Sequence, residues 1–236
     1  MKTISIIIPV YNERQTIVKL LEAVERADSL GLQKELIVVD DCSTDGTTEI
    51  LKTLPTKYPV VYQTHNRGKG AALRLGFARA TGDIVLIQDA DLEYDPNEYP
   101  ILLEPILAGH ADVVYGSRFV TSKPRRVLYN HHYFANKLLT TLSNIFSNLN
   151  LSDMETCYKV FTRQALQTIL PRLVSNRFGI EVELTAEVAR HKFRVYEVGI
   201  SYHGRTYEEG KKINWQDGLA AFWHIIRFNV LRKNRI

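Results

Sequence analysis

The sequence predicts an α/β protein built on one mostly parallel sheet with helices on both faces, and three observations carry that expectation. Short β-branched runs alternate with segments of helical periodicity, the strands read as continuous apolar runs, and the early strands end in polar, acidic loops. With 236 residues, 45% of them hydrophobic and 24% charged, the chain is long enough for one large domain and too short for two comfortable ones. A single domain over 1–236 is expected, with a first half of 1–118 and a second half of 119–236.

Residues 4–8 form the first strand, and Ile17, Leu20, Leu21 and Val24 then repeat at helical spacing. Residues 36–39 form the second strand, followed by a helix beginning near Ser43-Thr44-Asp45, whose side-chain oxygens can cap it. Strands at 60–62, 84–87 and 113–115 and a third helix at 71–80 continue the alternation. Over 133–149, Phe134, Leu138, Leu142, Ile145 and Leu149 mark an amphipathic helix, and Leu219, Phe222, Trp223, Ile226 and Val230 mark another near the end. Such stripes either cover the sheet, form an oligomer interface, or lie in a membrane interface.

Charge is unevenly placed. Residues 113–152 hold five basic side chains (Arg118, Lys123, Arg125, Arg126, Lys137) and no acid, and 218–236 hold four more (Arg227, Arg232, Lys233, Arg235). The net charge of the whole chain is only +4, so the remainder is acidic. Blocks of one sign point to an anionic partner, whether a lipid headgroup, a nucleic acid or a phosphorylated substrate, or else to a solvated basic face. No base-reading motif accompanies them, which argues against nucleic acid. No apolar stretch reaches the roughly 18 to 20 residues that span a bilayer. Two cysteines, Cys42 and Cys157, build no disulfide framework, and Met1-Lys2-Thr3 runs directly into the first strand, so a cytoplasmic setting is expected.

Asp89-Ala90-Asp91, at the end of an apolar strand, makes a small anionic notch with Glu93 next in reach. Oxygen ligands of this kind suit Mg²⁺ or Mn²⁺ shared with substrate phosphates, although a lone pair of loop carboxylates is also common on surfaces. The loops Pro9-Val10-Tyr11-Asn12-Glu13 and Asp40-Asp41-Cys42-Ser43 should line the same crevice, because ligands bind outside the carboxyl ends of parallel strands. Tyr11 can pack against a nucleobase and Asp41 can accept hydrogen bonds from base or ribose, whereas Asp40 either joins them or caps the following helix. A dinucleotide-binding fold is excluded, since Pro9 and Tyr11 stand where its glycines belong.

Ile6-Ile7-Ile8-Pro9-Val10-Tyr11-Asn12-Glu13, Val39-Asp40-Asp41-Cys42-Ser43, Gly68-Lys69-Gly70, Gly82-Asp83 and Asp89-Ala90-Asp91-Leu92-Glu93 together resemble, in order and spacing, the family 2 glycosyltransferases of GT-A fold. Gly116-Ser117-Arg118-Phe119 resembles their dolichol-phosphate mannosyltransferase and polyprenyl-phosphate glucosyltransferase branch. The resemblance makes 1–118 the nucleotide-sugar half and 119–236 the acceptor half. It assigns Pro9, Tyr11, Glu13, Val39, Asp41, Lys69, Asp89, Ala90, Arg205 and Lys211 to the nucleotide sugar, and Asp89, Asp91 and Glu93 to a Mg²⁺ or Mn²⁺ ion. That last position is often Gln in relatives. Arg118 falls near the sugar or acceptor phosphate, with an ion pair to Asp112 as its structural alternative, and Arg205 and Lys211 fall on a lid over the diphosphate.

The resemblance implies inverting, metal-dependent transfer of a hexose from a GDP-mannose-type or UDP-glucose-type donor to polyprenyl phosphate at the cytoplasmic membrane face. The alternatives are a soluble relative acting on a saccharide or other hydroxyl, and a nucleotide-sugar-binding protein without turnover. Asp91, Asp153 and Arg118 are the candidate catalytic residues. A hydroxyl acceptor would need Asp153 as a base, with Glu155 a competitor, whereas a lipid phosphate is already ionised and leaves Asp153 to orient a cation or the sugar. Asp153 capping a helix over 156–161 is the structural alternative. Phe178-Gly179-Ile180-Glu181 resembles the start of the last covering helix, where Glu181 can face the sugar. A homo-oligomer is compatible with the apolar helices.

Overall fold

The computed structural model describes residues 2–55, 58–120, 126–127, 130–206, 208 and 215–232. Lys123, Arg125, Lys211, Lys233 and Arg235 lie outside the described residues. Strands β1 (Thr3–Val10), β2 (Gln33–Asp40), β3 (Val60–Tyr62), β4 (Ile84–Ile87), β5 (Val113–Ser117), β6 (Lys159–Thr162) and β7 (Val195–Gly199) form one sheet in the order β3-β2-β1-β4-β6-β5-β7. Every pairing is parallel except those of β6, which runs antiparallel between β4 and β5. The α/β expectation holds. Ile4, Ile6, Ile7 and Ile8 are fully buried, as a middle strand covered on both faces requires. Pro9 lies beyond Ile7–Ile87, the last β1–β4 pair, where a missing N–H leaves no gap in that ladder.

The helices are α1 (Ile17–Arg26), α2 (Thr47–Thr53), α3 (Lys69–Phe77), α4 (Tyr99–Leu107), α5 (Asn130–Ser147), α6 (Arg163–Ile169), α7 (Gly179–Arg190) and α8 (Trp215–Ile226). The apolar face of α1, with Ile17, Leu20, Leu21 and Val24, is buried as its spacing predicts. α2 starts later than expected, because Asp45 receives the Thr47 N–H at 3.0 Å and closes a turn first. β6 overturns the helix expected over 156–161: Tyr158, Val160 and Phe161 are buried and pair across to β4 and β5. Asp153 therefore caps no helix there.

Two consequences position the site. The chain moves from β1 outward to β2 on one side and to β4 on the other, so the switch point lies between β1 and β4, and their carboxyl ends share one crevice. Because β6 is antiparallel, its beginning lies at the carboxyl ends of β4 and β5, and the loop 153–158 is delivered to the same edge. The second half of the chain thus completes the sheet of the first. α5, α7 and α8 pack against one another through Met154, Val182, Ala186, Ala221, Ile225 and Phe228, with Leu139 and Leu142 at the margin.

α3 lies close against β1. A Cβ on Gly76 would overlap Ile7 Cγ2 and sit 3.5 Å from Val39 Cγ2. Gly76→Ala should therefore cost about 1–3 kcal/mol of stability through overpacking, read as a lower urea midpoint at unchanged slope.

Candidate active site

Three of the loops that line the crevice bend sharply at its rim. Asn12, Cys42 and Leu92, just beyond β1, β2 and β4, hold φ values of 53°, 62° and 62°, the left-handed region that non-glycine residues seldom enter. Such strain gathers at functional sites. At Leu92 the bend lets Asp91 accept the Glu93 N–H at 3.1 Å, bringing both carboxylates to the same side.

At the centre stands Arg205. Its guanidinium lies 3.1 Å from Glu13, 3.3 Å from Asp91 and 3.4 Å from Glu93, and its backbone N–H donates to Glu93 at 2.8 Å. Tyr202 donates to the other Glu93 oxygen at 2.7 Å. Burial pushes the Asp91 carboxyl up to about 7, and the neighbouring charges of Asp89 and Glu93 push the same way against Arg205. Among the described residues no three side chains of His, Cys, Asp or Glu are arranged to hold a metal ion. The carboxylates gather around a guanidinium instead. Their chemistry nonetheless fits a divalent cation, because hard oxygen donors crowded until ionisation of Asp91 is disfavoured define a seat for positive charge.

Asp89 is held differently. Lys69 Nζ lies 2.8 and 2.9 Å from its two oxygens and 3.1 Å from Glu181, whose other oxygen meets Lys159 Nζ at 2.5 Å. Lys159 is completely buried and also donates to the Met154 carbonyl at 3.0 Å. Burial opposes the charge on Lys69, but Asp89, Cys157 and Glu181 more than offset it, so its pKa lies well above the usual value. Gln88 supports the strand end, donating to the Asp89 carbonyl at 3.0 Å while accepting from Tyr99 and Tyr158 at 2.8 Å each.

At the β1 and β2 ends of the crevice, Val39 is buried, Pro9 half-buried and Tyr11 36% exposed. Asp41 accepts from Gln63, Asn66 and the backbone N–H groups of Arg67 and Gly68 at 2.7–2.9 Å, so it fastens the loop before α3. Asp40 accepts from Ser43 and Thr48, the helix-entry role. Ala90 is buried between the two aspartates.

On the opposite side, Arg118 and Asp153 form a fork: Nε and Nη2 each meet a carboxylate oxygen at 2.7 Å, and the Arg118 N–H adds a third bond at 3.0 Å. Asp153 is fully buried. Asp112, the alternative partner of Arg118, pairs with Arg194 at 2.8 Å. Burial opposes the Arg118 charge, but Asp153 raises its pKa well above the ordinary value. The guanidinium also stands 5.1 Å over the Tyr202 ring, which links it to the acidic cluster. Glu155 stands near this pair with no ion pair among the described residues and with Oε1 buried and unpartnered.

The structure thus brings together Glu13, Asp89, Asp91, Glu93, Lys69 and Arg205, and separately Arg118, Asp153 and Glu155. Sequence reasoning missed Lys159, Gln88 and Tyr202. Gln88 carried a signal, a polar residue closing a β-branched strand, whereas Lys159 carried none because lysine is so seldom buried.

The switch point of the sheet thus gathers carboxylates and basic side chains at one crevice, where open parallel sheets bind their ligands. The model of glycosyl transferase family 2 matches residues 5–170, and the chain belongs to that family. It is 31% identical over 228 residues to the low-salt glycan biosynthesis hexosyltransferase Agl6 of Haloferax volcanii, covering 96% of this chain and 52% of that one. It is 30% identical over 208 residues to the polyprenol monophosphomannose synthase of Mycolicibacterium smegmatis, covering 85% and 77%. With the dolichol-phosphate mannosyltransferase of Pyrococcus furiosus it shares 41% identity over 119 residues, 50% of this chain and 33% of that protein. The chain spans about half the length of Agl6 and a third of the Pyrococcus protein. A glucosyl-3-phosphoglycerate synthase from Mycobacterium tuberculosis, solved with Mn²⁺, UDP and phosphoglyceric acid, superposes with a TM-score of 0.75 at 21% identity, covering 100% of this chain and 80% of that one. The fold is GT-A.

Burial and Glu181 push the Glu155 carboxyl up to about 7 against the pull of Lys159 and Arg118. The folded protein then binds a proton that the unfolded chain, with an ordinary carboxyl, releases near pH 4–5. Stability should fall as pH rises from about 5 to about 7, where folding retains that proton. Thermal melting of ligand-free Glu155→Gln should show a shallower fall than wild type; parallel curves would refute the buried-carboxyl assignment.

Proposed function

We propose that this chain transfers a hexose, with inversion, from a nucleotide sugar of GDP-mannose or UDP-glucose type to a polyprenyl phosphate at a membrane surface. The observation that carries the reading is the convergence of Glu13, Asp91 and Glu93 on one cation at the switch point. Support for the acceptor comes from the relatives' names, which include a polyprenol monophosphomannose synthase and, at 33% identity over 174 residues, an undecaprenyl-phosphate 4-deoxy-4-formamido-L-arabinose transferase of Aeromonas hydrophila.

Asp89, Asp91 and Glu93 would hold Mg²⁺ or Mn²⁺, which when bound supplies Lewis-acid stabilisation of the diphosphate. Pro9, Tyr11, Val39 and Ala90 shape the nucleoside end, with Asp41 fixing the loop behind it. As the glycosyl bond breaks, charge grows on the diphosphate, and Arg205 and Lys211 are the basic side chains assigned to meet it. Arg118, oriented by the Asp153 fork, presents positive charge to the acceptor phosphate. Both Asp153 oxygens are engaged by that guanidinium, so Asp153 acts as an orienting residue, and an ionised phosphate nucleophile needs no base.

The outer helices support a membrane surface. α5 turns part of its apolar stripe outward, with Phe134, Leu138 and Ile145 at least half exposed, while Leu142 packs on the cluster with α7 and α8 and Thr140 and Ser143 face inward. α8 exposes Leu219, Phe222 and Trp223. An apolar face turned to water beside basic segments suits an interfacial helix, and no helix among the described residues is long and apolar enough to cross a membrane. Arg232, by contrast, is turned inward to Glu183 at 2.6 Å.

Purified protein with Mn²⁺ and either UDP-glucose or GDP-mannose should glycosylate a short polyprenyl phosphate, seen by mass spectrometry, and leave free sugars untouched. Transfer to free sugars alone would move the reading to a hydroxyl acceptor. Leu138→Ser with Ile145→Ser should weaken sedimentation with vesicles of anionic lipid by at least about a hundredfold at low salt, since the pair withdraws about six carbons at about 0.8 kcal/mol per methylene fully inserted; wild type that ignores such vesicles would exclude the membrane surface. Arg205→Ala should lower kcat on the order of 10²-fold, yet tighten calorimetric binding of Mn²⁺ alone, because the internal cation no longer competes for the carboxylates. Weaker Mn²⁺ binding in that variant would contradict the competition.

A further inference from the structure

Around the loop before β6 the charged side chains are paired, and Glu155 stands outside the pairs. Asp89, Lys69, Glu181 and Lys159 alternate in sign at successive separations of 2.8, 3.1 and 2.5 Å. Arg118 and Asp153 close a second pair at 2.7 Å. Glu155 lies on the loop joining these groups: Asp153 at one end is fastened to Arg118, and the Cys157 thiol at the other faces Asp89. Lys159, Glu181 and Arg118 are all within electrostatic reach of Glu155, yet each is already committed elsewhere.

Its Oε1 is shut off from solvent without a hydrogen-bond partner. Arg74 Nε, Thr156 Oγ1, Ser175 Oγ and His224 Nδ1 are likewise buried without a hydrogen bond, but among the carboxylate oxygens so placed Glu181 Oε1 and Glu187 Oε2 each take part in an ion pair, and Glu155 Oε1 does not. Buried polar atoms are nearly always satisfied, so an orphan beside a binding crevice marks a group that a ligand completes. The surroundings choose the ligand's chemistry. A cation would meet Arg118 and Lys159, and an anion would meet Glu155 itself when ionised. A neutral hydroxyl can hydrogen-bond the carboxyl in either protonation state.

We propose that Glu155 hydrogen-bonds a hydroxyl of the transferred hexose and is a specificity-determining residue for the sugar of the donor. The inference builds on the nucleotide-sugar reading above. It separates two parts of the ligand: the nucleoside diphosphate is held by the β1, β2 and β4 loops, and the hexose by the loop before β6.

Calorimetry with Mn²⁺ should compare UDP with UDP-glucose, and GDP with GDP-mannose, on wild type, Glu155→Leu and Glu155→Gln. For the pair that binds, Glu155→Leu should weaken the nucleotide sugar about tenfold, the scale of one lost hydrogen bond, and change the bare diphosphate by less than about twofold. Glu155→Gln, which is isosteric and still hydrogen-bonds, should fall between. An unchanged ratio of the two affinities in both variants would overturn the role of Glu155 while leaving the nucleotide-sugar site standing. Wild type that binds none of the four nucleotides would overturn both.

Discussion

The structure depends on one electrostatic constraint: carboxylates crowded at the switch point must be met by positive charge. Glu13 comes from the end of β1, Asp91 and Glu93 from the end of β4, and Arg205 from the segment after β7 reaches between them. Bringing like charges into a half-buried notch disfavours their ionisation, as the raised Asp91 pKa shows. A guanidinium satisfies the notch without ligand. It does so with four guanidinium contacts of 3.1–3.4 Å, two of them a fork on Glu13, each longer than the 2.7 Å bonds of the Arg118–Asp153 pair. The Arg118 pair is the shorter of the two, and the Arg205 guanidinium is shared among three carboxylates.

α7 supplies the rigid background for these contacts. It is buried along nearly its whole length despite Glu181, Glu183 and Glu187. Each glutamate has a cation: Lys159 and Lys69 for Glu181, Arg232 for Glu183, and Arg172 with Arg190 for Glu187. Removing one member of a buried pair leaves an uncompensated charge, so these pairs fix the loop before β6 and the ends of α3 and α8 in one arrangement. The apolar cluster around Met154 ties the same loop to α5 and α8. The outer helices and the Arg118 side of the crevice therefore share one support.

Much of this was legible in the sequence. β1, β2, β4 and β5 announced themselves as β-branched runs, and α1 and α5 by apolar residues at helical spacing, because burial on a fixed face imposes a period. β6 was misread since Lys159 opens it and only a few apolar residues follow; its strand character comes from neighbours on both sides. α4 carries Pro100 and Pro105, and α7 carries three buried glutamates, so both break the rules that make a helix visible. The acidic cluster was foreseen by type and order along the chain. What could not be foreseen was partnership: that Asp41 is saturated by the loop before α3, that Asp153 is bound to Arg118 in place of capping a helix, and that Phe134, Leu138 and Ile145 of α5 and Leu219, Phe222 and Trp223 of α8 face outward. Those facts depend on distances between residues far apart in sequence.

The proposed function turns on Asp89, Asp91 and Glu93 being a seat for a divalent cation shared with a nucleoside diphosphate. Electron paramagnetic resonance of Mn²⁺ with the protein and either UDP or GDP tests it most directly. The account predicts a protein-bound Mn²⁺ signal with coupling to phosphorus, lost in Asp91→Asn. A signal from free or nucleotide-only Mn²⁺, with nucleotide binding unchanged by chelator, would contradict it.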